Sequence, residues 1–132
     1  MHSQKKITYV WLQHALVLLW CGLIYSLSAQ STLPETPFMI PYQDKIAHAG
    51  IYAWLAFFAC FSFRHILKKP LLIVLAAWLF CAAYGLSDEW HQSFVAERMP
   101  DVWDWCADVS GAALMCAFLY FFFPTWIHRE AT

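Results

Sequence analysis

Residues 71–94 read LLIVLAAWLFCAAYGLSDEWHQSF, and this stretch decides the fold. From Leu71 to Leu86 there is no charge, and then Asp88, Glu89, His91 and Gln92 arrive within one and a half turns. A helix over 71–86 climbs about 24 Å at ~1.5 Å per residue. It therefore carries those polar residues to a membrane–water boundary. Pro70 opens the helix well, because the N–H it lacks would have no partner in a first turn.

The rest of the chain agrees. Hydrophobic residues make up 61% of the 132 and charged ones 13%, against roughly a quarter charged in ordinary globular chains. Its eight Trp and six Tyr are rings that favour the headgroup level. The expected fold is all-α: one membrane domain, 1–132, with spans at about 7–27, 46–63, 71–92 and 103–123. A span needs ~20 residues, so the second and third reach that length only with their polar flanks counted as helix. Pro124 ends the fourth. Lys5 and Lys6 before the first span resemble a signal-peptide start, but its uncharged run is longer than a usual signal core, so it reads as retained. The cysteines, 21, 60, 81, 106 and 116, all lie in apolar runs without a C-x-x-C pair and read as small buried hydrophobes. With a net charge of −1 and no basic cluster, no nucleic-acid partner is expected; the lipid bilayer is.

Lys and Arg in short loops set orientation. Lys5, Lys6, Arg64, Lys68, Lys69 and Arg129 fall on one side, which should be the cytoplasm, with both termini. Lys45 and Arg98 remain for the other side, where almost all the acids gather. A multi-pass protein of the cell (cytoplasmic) membrane is expected, acidic at its outer ends.

Three helices bring polar residues to that outer face. Lys45, His48 and Tyr52 share one face of helix 2, with Asp44 beside them. Helix 3 offers Asp88, Glu89, His91 and Gln92. On helix 4, Asp101, Asp104, Asp108, Gly111 and Met115 step by three and four, a stripe descending into the bilayer. An Asp facing lipid costs about 2.5–3.5 kcal/mol at mid-membrane, so the stripe should face the bundle interior. Gly111 would let a neighbour approach closely. Arg98, in the short loop between helices 3 and 4, is the expected partner of Glu89 or Asp104, leaving Lys45 for the other acids.

D44-K-I-A-H48, then D88-E-W-H-Q92, then Arg98 with Asp104 and D108-V-S-G111 resemble the signature blocks of the VanZ-like family. These small integral membrane proteins are named for a teicoplanin-resistance component. The resemblance runs from about Ile24 to Met115 and keeps the R-x5-D-x3-[ND]-x2-G spacing. Asp108 stands where the family often has Asn, and Glu97 where Gly is common before the Arg. Membership implies a link to the cell envelope and to glycopeptide resistance.

Two functional readings follow. In one, the outer pocket binds or modifies an outer-leaflet envelope component, such as a lipid-linked or cell-wall-precursor ligand. Glu89 or Asp104 would be the general base, His48 or His91 the proton shuttle, and Lys45 with Arg98 an anion clamp, while Asp88, Gln92 and Asp108 hold ligand. In the other, the ionic cluster only fixes helix packing. His48, His91 and the carboxylates could hold a metal ion, but H-E-x-x-H is absent and Lys45 and Arg98 compete for the same acids, so no metal or cofactor is expected. The loop 28–43, with Phe38, Met39 and Ile40 at its centre, could serve as a lid or a passive tether.

Overall fold

The structure, a computed structural model, describes residues 2–31 and 42–127. Phe38, Met39 and Ile40, at the centre of the loop read as a lid or a tether, lie outside that description. Among the described residues there is no strand; four long helices run antiparallel in sequence order. They are α1 (His2–Ser28), α2 (Gln43–Phe63), α3 (Pro70–Gln92) and α4 (Val102–Phe122), followed by a single turn, α5 (Pro124–Ile127). All four long helices are long and apolar enough to cross a membrane.

The polar flanks are helix, which resolves the two short spans. α2 starts at Gln43, three residues before Ile46, and carries Asp44 in its first turn, where a carboxylate meets unpaired N–H groups and the positive end of the helix dipole. α3 runs through Asp88 and Glu89 to Gln92, with Pro70 at its start. The cap of α4 is Asp101, whose carboxylate accepts the Trp103 N–H at 2.9 Å. Pro124 ends α4 as expected and also opens the α5 turn, which buries Ile127.

Inside a bilayer, lipid is as apolar as leucine, so helices associate through close packing rather than the hydrophobic effect. The core accordingly mixes a few large residues, Tyr52, Leu55 and Ile73, with small ones: Ala56, Ala59, Ala77, Cys81 and Ala112. Leu18, Leu19, Leu79, Leu114, Phe121 and Phe122 stay exposed, as lipid-facing residues should. The central pair is α2 and α4. A Cβ at Gly111 would lie 2.6 Å from the Ala49 Cα, so only glycine permits that crossing.

Several aromatic rings also tie helices together. Trp20 donates to the Ile51 carbonyl, Tyr84 to Cys21, Trp78 to Val109 and Trp105 to Ala82, at 2.6–3.2 Å. The cysteines are free thiols; of the five expected to be buried, Cys60, Cys81 and Cys116 are, while Cys21 and Cys106 are partly exposed. At the basic end, His14 pairs with Ser62 and His65 with Gln13. The His65 imidazole is held below its usual pKa by partial burial and by the Arg64 charge.

Candidate functional site at the acidic end of the bundle

The starts of α2 and α4 and the end of α3 meet at one end of the bundle, and the Lys45 ammonium is the hub. Its Nζ lies 2.6 Å from Asp101 Oδ2, 2.5 Å from Asp104 Oδ1 and 3.1 Å from Asp44 Oδ2. An ammonium has three donors, and three carboxylates take them. The Lys45 contact, and then the Trp103 N–H, hold the Asp101 carboxyl below the usual carboxylate range.

One turn further along α2, His48 stands between two acids of α4. Its Nδ1 is 2.9 Å from Asp108 Oδ1, and its Nε2 faces Asp104 Oδ2 at 3.9 Å. Exposure falls along this row, from 59% at the Asp44 side chain and 39% at Asp101 to 15% at Asp104 and none at Asp108. The stripe read from the 3–4 spacing therefore faces inward and leads from the surface into the bundle.

α3 closes the third side. Glu89 Oε2 accepts the Asp101 N–H at 2.8 Å, joining the end of α3 to the cap of α4. Asp88 accepts from the Gln92 amide at 3.2 Å, and the Gln92 carbonyl accepts from Arg98 at 3.3 Å. Arg98 Nε also donates to the Gln30 carbonyl beyond α1, at 3.1 Å.

Two expectations are corrected. Arg98 pairs with neither Glu89 nor Asp104, because Lys45 already holds Asp104 and the Asp101 amide holds Glu89; its guanidinium instead ties the loop to α3 and α1. His91 turns away from the acids, with its ring 4.3 Å from that of Tyr25 and its Nδ1 3.5 Å from Ser28 Oγ. Of the expected site residues, Lys45, His48, Glu89, Asp104 and Asp108 come together, while Asp88, Gln92 and Arg98 form a second network along the rim.

Among the described residues, three side-chain atoms at this end are buried and have no hydrogen-bond partner: Tyr52 Oη, Glu89 Oε1 and Asp108 Oδ2. They come from three different helices. Beside them is Gly85, a residue the sequence did not single out. A Cβ there would lie 3.1 Å from Asp108 Oδ2, 3.2 Å from Trp105 Cδ1 and 3.4 Å from Tyr52 Cε1. The signal that could have found it is its position three and four residues before Asp88 and Glu89, on the same face of α3. Among the described residues, no group of three His, Cys, Asp or Glu side chains is placed to hold a metal ion. The space between Asp44, Asp101 and Asp104 is filled by the Lys45 ammonium.

A family model described as VanZ/LLP1 matches residues 7–123, from the first span to the end of the fourth. The chain belongs to the VanZ/LLP1 family. The match includes every residue of the ionic cluster and extends beyond the blocks quoted from the sequence. No curated protein and no solved structure matches this VanZ/LLP1 chain.

Proposed function

We propose that this VanZ/LLP1 protein lies in the cytoplasmic membrane with both termini inside, and that its acidic end binds, or acts on, a polar component of the cell envelope in the outer leaflet. The family resemblance connects that role to teicoplanin resistance. The observation that carries the reading is the trio of buried, partnerless atoms on Tyr52, Glu89 and Asp108. Buried polar groups are nearly always paired in native proteins, and leaving one unsatisfied costs about 1–3 kcal/mol. A network kept for packing alone would be expected to pair them; a binding site leaves them for its ligand.

Any acid–base step at this site runs through His48, which has a carboxylate facing each ring nitrogen. Glu89 is the better base of the two expected, because one of its oxygens is uncommitted while Asp104 is held by Lys45 at 2.5 Å. Asp88, Gln92 and Arg98 fix the rim.

A second reading, that the cluster only holds the helices in register, draws on Lys45 with its three carboxylates and on the Glu89–Asp101 bond. The two part on Tyr52→Phe, Glu89→Gln and Asp108→Asn, each measured for melting in detergent and for the teicoplanin susceptibility of a host expressing it. Variants that melt at or above the parent but lose protection support a ligand site, since functional groups often cost stability. Loss of several degrees with protection intact supports the packing reading.

A further inference from the structure

Resting on the ligand-site reading above, we infer that the ligand is recognised through a protonated primary amine that donates to the unpaired oxygens of Asp108, Glu89 and Tyr52. The first ground is which atoms are spare. The unpaired groups are two carboxylate oxygens and a phenol, on side chains 0%, 7% and 1% exposed. Carboxylates only accept hydrogen bonds and a phenol can also accept, so together they suit a group rich in N–H donors.

The second ground is which atoms are taken. Both cations described at this end are committed: Lys45 to three carboxylates, Arg98 to Gln92 and Gln30. An anionic headgroup would have to break one of those contacts and would meet Asp44, Asp88, Glu89, Asp101, Asp104 and Asp108 on arrival. The anion clamp expected of Lys45 and Arg98 is thereby replaced by its opposite. Lys45 already shows that the carboxylates of this end hold an ammonium at 2.5–3.1 Å.

A quaternary ammonium has no N–H to give such acceptors.

The test uses the full chain, purified in dodecyl maltoside, with tryptophan emission as the readout because Trp105 and Asp108 both pack against Gly85. Dihexanoyl phosphatidylethanolamine is titrated against its phosphatidylcholine and phosphatidylglycerol counterparts, with ethanolamine as a soluble competitor. The ethanolamine lipid should bind about tenfold or more tighter than either counterpart, tenfold being ~1.4 kcal/mol. Asp108→Asn should abolish that preference, and Tyr52→Phe, which removes one of the unpaired acceptors, should weaken it. If ethanolamine alone competes, the inference stands with a water-soluble amine as the source; if only the lipid binds, it stands with a lipid headgroup. Equal binding of the three lipids, or preference for phosphatidylglycerol, overturns the amine inference and leaves a headgroup site intact. Binding of no probe overturns both.

Discussion

Glu97 adopts φ 64°, the left-handed region, in the loop between α3 and α4. That conformation costs an ordinary L-residue about 1–2 kcal/mol, and glycine nothing, which gives a physical reason for the glycine the family often carries there. Glu97→Gly should therefore stabilise the fold by up to about 1 kcal/mol after the chain entropy glycine loses on folding, read as a higher melting temperature. Thermal unfolding of the pair in one detergent checks it. Lys45 is the opposite case. Lys45→Met leaves Asp44, Asp101 and Asp104 facing one another, and should cost about 2–3 kcal/mol. That is below the ~3–5 of a fully buried pair, because the Lys45 side chain keeps 24% of its exposure. Restoring part of that loss by Lys45→Met with Asp104→Asn would confirm that repulsion is the cause. Asp101 adds a pH dependence. Its folded pKa lies below the unfolded ~3.9, so its pairing stabilises above that value and is lost as pH falls through the folded one. Asp101→Asn keeps the cap but not the charge. It should melt below the parent at neutral pH, with the gap closing below about pH 4.

At the level of single helices, the 3–4 spacing of Asp101, Asp104, Asp108 and Gly111 was enough to align them in a stripe that runs from the exposed cap into the buried face of α4. It worked because a carboxylate has few other tolerable positions in a bilayer. The same reasoning fell short on α3, whose residues lie about 100° apart around the axis. Asp88 and Gln92 stay near α4 and the loop, while His91, on the flank of the same face, reaches α1 instead. Which neighbour covers a flank depends on tertiary packing that spacing does not encode. Gly85 was missed for a related reason: its role appears only once Asp108 and Tyr52 are known to approach it. Arg98 was misassigned because a loop cation takes whichever acceptors remain, and Lys45 and the Asp101 amide had taken the expected ones. The α2–α4 crossing offers a sharp test of packing. At Gly111→Ala the new methyl would overlap Ala49 backbone rather than a flexible side-chain tip, so the helices must separate. A loss of about 1–3 kcal/mol is expected from overpacking, read as a lower melting temperature. An unchanged one would mean the crossing has slack.

Over the whole molecule, charge is split between the two ends. Asp44, Asp88, Glu89, Asp101, Asp104 and Asp108 gather where α2 and α4 begin and α3 ends, while Arg64, Lys68 and Lys69 lie in the turn between α2 and α3. Four antiparallel helices put these groups on opposite faces of the membrane, and the bias of Lys and Arg toward the cytoplasm sets the proposed direction. Only with the acids outward does the Tyr52–Glu89–Asp108 site meet the outer leaflet, so the orientation and the proposed role stand together. Cysteine labelling tests them at once. Cys21 and Cys106, the two half-exposed thiols, are first replaced by Ala; Cys60, Cys81 and Cys116 are buried and shielded from reagent. Ser93→Cys is then placed at the exposed acidic end and Lys68→Cys at the basic end. A membrane-impermeant maleimide should label Ser93→Cys in intact cells and Lys68→Cys only after permeabilisation. The reverse pattern would turn the acidic end toward the cytoplasm, and with it the ligand sought there would have to be a cytoplasmic amine rather than one in the outer leaflet.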